Sequence, residues 1–318
     1  MDDMRLSNYL DLYISNASTK RVKGYGTLGL AYNTVRTYRS LKRIIKTYEK
    51  DSNTFLYLDS FDKNASEDLT RYLKLEKQYS DNYSGQLLKN LKVVLRDAEK
   101  SGFKIHPYSH YIEVFKQKAS DRIIITLNPE EIKSIKELKG LPSRIRDSHK
   151  WFIVGLFIGQ RVSDLISLTP MNIRRASGGV YVDIVQKKTK KAVTIGVSDP
   201  MVVRILTEDF PKMVTQGCFN RDIKRICKMA GIDEPINGYK NNPKRNRKEI
   251  ILAPKYEHIT SHIMRRSFAS NYFGKIETPL LMGITGHTKE TNFLTYIGTC
   301  QNKDALADIF MQKTAAIW

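Results

Sequence analysis

Apolar residues return at helical intervals through the first third of the chain, and many of the polar residues between them are cationic. Residues 5–15 read as a short amphipathic helix, followed by a glycine-containing connector from Lys20 to Gly29. From Asn33 onward, Val35, Tyr38, Leu41, Ile45 and Tyr48 mark one face of a second helix. Its opposite face carries Arg36, Arg39, Lys42, Arg43 and Lys46, which suits either a solvated surface or one turned toward a polyanion. Asn64–Lys77 predicts a further helix. Asn82–Ser101 predicts the clearest of all, with Leu87, Leu88, Leu91, Val94, Leu95 and Ala98 in one stripe and Gly102 placed as its C-terminal cap. The N-terminal part is thus expected to be all-helical.

The pattern then breaks. Lys116–Arg122 is polar and aperiodic and reads as a linker, and Ile123–Leu127 is β-prone. Asn128, Pro129 and Glu131 supply an N-cap, a proline at the first helical position and a capping-box glutamate, the signature of a helix opening a new domain. Helical clustering resumes around Trp151 and stops at Ile158–Gly159, and Val162–Leu168 predicts another short helix. Between Gly178 and Val197 the period changes. Val180, Val182 and Ile184 alternate, as do Val193 and Ile195, around the basic run Lys187–Lys191, which predicts a β-hairpin with a cationic tip. Pro200–Glu208 and Phe219–Gly231 return to helix, and Gly238–Lys248 reads as a basic loop rich in turn formers. No segment repeats at a fixed period. The expected organisation is a helical domain over 1–115, a linker over 116–123 and a second domain over 124–318: mainly α, with a small β-sheet in the second part.

Charge changes the picture. Lys plus Arg number 53 against 33 Asp plus Glu, a net +20, and such an excess points to a polyanionic partner, nucleic acid first. A highly soluble surface or an anionic membrane face are the alternatives, but no basic amphipathic anchor, lipidation motif, signal peptide or apolar run of ~18 residues is present. Cys218, Cys227 and Cys300 show no metal or redox spacing, so a reducing cytoplasm is the expected home. The pairs His106/His110 and His258/His262 have helical metal-ligand spacing but no accompanying glutamate, and no metal is expected.

Chemistry concentrates near the C-terminus. His262 and Arg265 lie three apart in a helical stretch, Ile259–Phe273, and His287 and Tyr296 follow nine residues apart. Two imidazoles, a guanidinium and a phenol in a very basic chain suit attack by a tyrosine on a phosphodiester. Together with Gly159-Gln-Arg161-Val-Ser-Asp164 and the hairpin pair Lys188-Thr189, in this order and spacing, they resemble the catalytic domain of the tyrosine recombinase (phage integrase) family over residues 124–300.

That resemblance implies the following. Arg161 and Arg265 bind the scissile phosphate, Lys188 protonates the leaving 5′ oxygen, and His262 serves as general base and phosphate contact. His287 hydrogen-bonds the phosphate, Tyr296 is the nucleophile, and Asp164 braces the first arginine. It further implies a helical core-binding domain ahead of an α+β catalytic domain, closing on duplex DNA. Arg36, Arg39, Lys42, Arg43, Lys187 and Arg266 are candidate DNA contacts. No cofactor is needed, paired recombination sites are brought together by a homotetramer on DNA, and accessory DNA-bending or directionality proteins are further partners.

A type IB topoisomerase, which shares this chemistry, and a DNA-binding protein that never cleaves are the rival readings. Two neighbours depart from the family's usual pattern: Phe157 stands where threonine is common, and Thr285 where leucine often precedes Gly-His. The residues ahead of Lys20 do not form the arm-binding domain that many integrases carry, which suggests a simpler recombinase or invertase, or a shortened chain. In the tail from Asn302 to Trp318, Ala305, Leu306, Ile309, Phe310, Ile317 and Trp318 suggest an amphipathic helix, docked on its own domain or exchanged into a neighbouring protomer.

Overall fold

The computed structural model describes residues 4–20, 28–118, 121–176, 178–242, 247–298 and 303–315. Contacts divide the chain into two compact units, Met1–Lys118 with Asn241–Lys248, and Ala119–Lys240 with Glu249–Trp318.

The first unit is built on α1 (Leu6–Ser15), α2 (Tyr32–Ser52), α3 (Lys63–Arg71) and α4 (Asp81–Lys100). Its core takes Leu6, Tyr9, Leu10 and Tyr13 from α1, Tyr38, Leu41, Ile44, Ile45 and Tyr48 from α2, and the expected Leu87–Ala98 stripe from α4. Tyrosines can line this core because their hydroxyls reach its edge: Tyr9 donates to Asp97 at 2.7 Å, and Tyr72 to Asp51 at 2.6 Å. Gly85 stands mid-helix because a β-carbon there would lie 1.8 Å from the Phe115 carbonyl oxygen. The helix expected over Asn64–Lys77 instead ends its α-helical part at Arg71 and widens into a π-helical turn over Tyr72–Glu76.

The second unit surrounds α6 (Ser143–Ile158), whose Trp151, Phe152, Ile153, Val154, Leu156 and Ile158 are all buried. Before it, α5 (Pro129–Lys136) carries the expected capping box, Asn128 and Glu131 bonding reciprocally at 2.8 Å. After Gly159 comes α7 (Val162–Leu165), a single turn rather than the longer helix expected. The hairpin forms as β2 (Gly179–Val185) and β3 (Ala192–Val197), with Val182 opposite Ile195 and Ile184 opposite Val193. A strand not foreseen, β1 (Ile173–Ala176), adds to β2 and completes a three-stranded antiparallel sheet. Next come α8 (Pro200–Thr207) and α9 (Gln216–Met229).

Two expectations fail here. The described parts of Gly238–Lys248 are strand and not loop: β4 (Pro235–Asn242) and β5 (Arg247–Pro254) pair as a second sheet, Glu249–Ala253 supplying the β-prone residues, while 243–246 lie outside the described residues. Ile123–Leu127 is not a strand, and at Leu127 side chains, not a neighbouring strand, satisfy the backbone. The N–H of Leu127 donates to Ser267 Oγ at 2.8 Å, and its carbonyl accepts from Asn271 at 3.0 Å.

The remaining elements are α10 (Lys255–His258), α11 (His262–Tyr272), α12 (Thr278–Thr285), α13 (Glu290–Ile297) and α14 (Lys303–Ala315). Phe268, Ala269, Leu281, Phe293 and Ile297 form a small separate core that fastens α11, α12 and α13 together. In α14, Phe310 and Met311 are exposed and Lys313 lies 3.9 Å from Glu277, so these described side chains do not dock as a buried apolar face. Ile317, Trp318 and Cys300 lie outside the described residues. No helix among the described residues is long and apolar enough to cross a membrane.

Candidate active site

All six residues expected to act on a phosphodiester fall in the second unit. Tyr296, near the end of α13, is bracketed by two imidazoles. The His262 ring meets it edge-on with centroids 5.1 Å apart, and the His287 ring lies at the same distance, tilted. The Arg266 guanidinium lies 5.2 Å from its ring centroid. Its buried hydroxyl has no hydrogen-bond partner among the described residues. Arg265 lies beside that hydroxyl, near enough to stabilise charge on the oxygen without a well-aligned bond. Burial raises the Tyr296 pKa, and Arg265, Arg266 and Arg161 oppose that rise.

Arg265 is itself only 2% exposed. Its Nη1 donates to the Gly159 carbonyl at 3.2 Å and its Nη2 to the Thr285 carbonyl. These carbonyls end α6 and α12, each helix being closed by a left-handed glycine, Gly159 at φ 63° and Gly286 at φ 66°. Helix C-termini present unpaired carbonyls and the negative end of the macrodipole, so two of them can hold a buried cation where no carboxylate is bonded to it. Burial, then the repulsion of Arg161, lowers the Arg265 pKa to about 10, which leaves the group charged at neutral pH.

Both histidines are neutral at pH 7. Desolvation, then Arg266, Arg265, Arg161 and Lys188, lowers His262 to about 4. His262 keeps a solvent-exposed edge where water offsets part of the desolvation, so the four positive charges are the firmer cause. Desolvation, Arg265 and Arg161 bring His287 to about 4 as well. The Thr285 hydroxyl donates its one proton to the Leu281 carbonyl at 2.6 Å, so its 2.9 Å contact with His287 Nδ1 makes that nitrogen the donor. Nε2 of neutral His287 then holds a lone pair. Donating from Nε2 to a phosphate would require protonation of the ring or rotation of the Thr285 hydroxyl onto Nδ1.

Arg161 and Asp164 do not pair with each other, although the family resemblance implied that Asp164 braces this arginine. Arg161 is the residue ahead of α7, with extended backbone angles of φ −66° and ψ 146°, so helical spacing does not apply to it. Its Nη1 donates instead to Gln186 Oε1 at 3.2 Å. Asp164, 2% exposed, accepts from the Lys187 backbone N–H at 3.1 Å through Oδ1, while its buried Oδ2 has no partner among the described residues.

Lys188 is exposed on the turn between β2 and β3, close enough for its charge to act on His262. Lys187, a candidate DNA contact, is engaged locally: its Nζ donates to the Ser163 carbonyl at 3.0 Å. Arg266 faces the Tyr296 ring and walls the site. Gln186 was missed in the sequence, and Gln160 and Thr285 were given no role there. All three are fully buried, and polar residues within two positions of Arg161, Lys188 and His287 are the signal that marks them.

In the first unit, Arg39, Lys42, Arg43, Lys46 and Lys50 line a concave surface of 770 Å³ together with Asp11 and Asp51. Lys42 is ion-paired with Asp11, while Arg36 lines a neighbouring groove of 280 Å³ with Asn33, Tyr83, Gln86 and Asn90. Of the two histidine pairs, His106/His110 is engaged locally: His110 Nε2 meets Glu99 at 3.0 Å and His106 Nδ1 accepts from the Tyr108 N–H. Among the described residues no cluster of three or more His, Cys, Asp or Glu is disposed to hold a metal.

Residues 6–118 match a family model described as the phage integrase SAM-like domain. No curated protein matches the sequence. Among solved structures, the chain is similar to XerH site-specific recombinase bound to palindromic difH substrate, a post-cleavage complex. The identity is 16%, with 98% of this chain and 94% of that one covered and a TM-score of 0.64. It is also similar to a lambda integrase tetramer bound to a Holliday junction, at 16% identity, 91% and 79% coverage and a TM-score of 0.61. A third is the Tn1549 transposon integrase in complex with circular intermediate DNA, at 16% identity, 92% and 95% coverage and a TM-score of 0.61. The chain has the tyrosine recombinase fold, with a phage integrase SAM-like domain at residues 6–118.

Proposed function

We propose that this protein is a site-specific DNA recombinase that cuts and rejoins DNA through a 3′-phosphotyrosine intermediate. The observation that carries the reading is the buried Tyr296 hydroxyl set among His262, His287 and Arg265. Arg161 and Arg265 bind the non-bridging oxygens of the scissile phosphate, where planar guanidinium forks match the geometry of the charge that builds up. Tyr296 Oη attacks phosphorus as neutral His262, with its free lone pair, takes the phenolic proton. The bond to the 5′ oxygen breaks and Lys188 protonates that oxygen. The phosphodiester is thereby exchanged for a phosphotyrosine of similar energy, and attack by the 5′ hydroxyl of a partner strand reverses the step and joins new ends.

The SAM-like match over 6–118 favours a recombinase over a nicking-closing topoisomerase. In this reading residues 1–115 act as the DNA-holding domain and 124–318 as the catalytic one. The α2 cations Arg39, Arg43 and Lys46 contact backbone phosphates, and Arg36 reaches DNA from the adjoining groove. The protein acts on paired sites as a homotetramer, in the cytoplasm, with the exposed Phe310 and Met311 of α14 available to a neighbouring protomer.

The test is covalent trapping. Nicked duplexes carrying candidate inverted repeats from the DNA around the gene are incubated with the protein and a metal chelator, then resolved on a denaturing gel. An adduct is expected with wild type, and none with Tyr296→Phe at undiminished DNA affinity. Salt-sensitive binding with no adduct at any repeat would leave a DNA-binding protein that does not cleave.

A further inference from the structure

Two buried amides join the phosphate-binding arginine to the lysine hairpin. Gln186 directly follows β2, two residues before Lys188, and its backbone closes the turn. Its N–H donates to the Lys191 carbonyl at 2.8 Å, and its carbonyl accepts from the Lys190 N–H at 2.8 Å, with Lys190 held at φ 57°. The side chain turns inward and is fully buried. Its Oε1 accepts from Arg161 Nη1 at 3.2 Å and from Thr189 Oγ1 at 2.6 Å. Its Nε2 donates to Gln160 Oε1 at 2.9 Å and to the Ile284 carbonyl at 3.3 Å. Gln160, also fully buried, donates to the Ile158 carbonyl at 3.1 Å and the Ile284 carbonyl at 2.8 Å.

These contacts fix the amide's orientation. Flipping it would turn its NH₂ on the Arg161 guanidinium, which cannot accept, and its oxygen on the oxygens of Gln160 and Ile284. There is no slack around it, since a β-carbon on Gly286 would sit 2.2 Å from Gln186 Oε1. The same stretch that positions Arg161 grips the hairpin at two further points, Asp164 on the Lys187 N–H and the Ser163 carbonyl on Lys187 Nζ.

We propose that Gln186, backed by Gln160, is a positioning residue that sets Arg161 and Lys188 in one register. This rests on the recombinase reading above. A neutral acceptor suits the task better than a carboxylate would. It aims the guanidinium while leaving its charge free for a phosphate, whereas an ion pair would compete with the substrate. Through the hairpin backbone the same residue fixes where the leaving-group acid stands, so phosphate binding and leaving-oxygen protonation are aligned by one side chain.

A sulfur substitution separates these two effects. In a duplex whose 5′-bridging oxygen at the trapped cleavage site is replaced by sulfur, the departing thiolate needs no proton, so a defect in placing Lys188 disappears while a defect in placing Arg161 persists. Single-turnover adduct formation is measured on oxygen and sulfur substrates for wild type, Gln186→Met, Lys188→Ala and Arg161→Ala. Gln186→Met is expected to lose ~100-fold on the oxygen substrate, the order of loss for a misplacement near 1 Å. On sulfur the loss should shrink to ~10-fold. Lys188→Ala should be rescued almost fully and Arg161→Ala hardly at all.

Gln186→Met at the wild-type rate on oxygen would overturn the proposal, and an equal loss on both substrates would overturn the coupling to Lys188. If thermal unfolding shows Gln186→Met to be unfolded, Gln160→Met decides the matter in its place, with the same partial rescue expected. Wild-type protein that forms no adduct on either substrate would instead overturn the recombinase reading, and the proposal with it.

Discussion

Replacing Arg265 with lysine keeps the charge and removes the fork. In the folded protein the guanidinium spans two helix ends, bonding the carbonyls of Gly159 and Thr285 from a nearly sealed position. An ammonium can stand at one of those carbonyls but not reach both, so one charge-assisted bond is lost and one buried acceptor is left unpaired. Such a loss costs about 1.5–3 kcal/mol of stability, visible as a shift in denaturant midpoint with an unchanged slope. The catalytic loss is larger. Removing one preorganised donor from a developing oxyanion costs about 2.7–4 kcal/mol of barrier, or ~10²–10³ in rate. Affinity for DNA should change less than ~10-fold, since many other phosphate contacts contribute to it. Single-turnover adduct formation across a range of protein concentrations separates these quantities: the plateau rate should fall and the half-saturating concentration should hold. An Arg265→Lys protein with a plateau rate within about threefold of wild type would refute the idea that the fork matters to the chemistry.

Other consequences follow from the same geometry. Arg39→Ala with Arg43→Ala removes two cations from the α2 surface, and the slope of log affinity against log salt should become shallower by ~2, measured by fluorescence anisotropy on duplex DNA. An unchanged slope would place the DNA elsewhere. Stability should also fall with acid. His262 and His287 titrate near 4 in the folded chain against ~6.5 when unfolded, so the unfolded state binds more protons between those values. Their contribution is complete above pH 6.5 and is lost as pH drops toward 4, by less than ~1 kcal/mol per ring because water screens both. His149, buried and also shifted down, adds to this in wild type. Urea melts of His262→Gln with His287→Gln should therefore show a shallower, but not absent, pH dependence between pH 7.5 and 5, and a parallel curve would contradict the shifted histidines.

What could be read from residue order was whatever depended on periodicity or on local capping. The α4 stripe, the Asn128–Glu131 box and the alternation of Val180, Val182 and Ile184 are properties of neighbouring residues, and all appear in the fold. What failed did so for separate reasons, of which only one was a partner far along the chain. Ile123–Leu127 has the composition of a strand, yet Ser267 and Asn271 take the backbone groups of Leu127. β1 was hidden because three of its four residues are exposed, leaving no alternation to detect. The turn formers between Gly238 and Asn242 hid the end of β4. In the site, reactive residue types announced themselves, but their supports did not. Arg265 is anchored on main-chain carbonyls, which any residue carries. The partner of Arg161 lies on the hairpin, and Asp164, spaced like an ion-pair partner, caps backbone instead.

The left-handed glycines also have a bearing on how such a chain can change its length. Gly159, Gly286 and Gly298 end α6, α12 and α13, at φ 63°, 66° and 79°, each within two residues of a residue assigned to the chemistry. One inserted residue advances a helix by about 1.5 Å and rotates its end by about 100°. An insertion within α6, α12 or α13 would therefore swing Arg161, His287 or Tyr296 out of alignment while leaving every residue type in place. Exposed turns that hold no assigned residue, unlike the β2–β3 turn with Lys188, carry no such indexing. Length polymorphism among related chains should thus be excluded from these three helices and admitted between β1 and β2, where Gly178 and Gly179 lie at the turn.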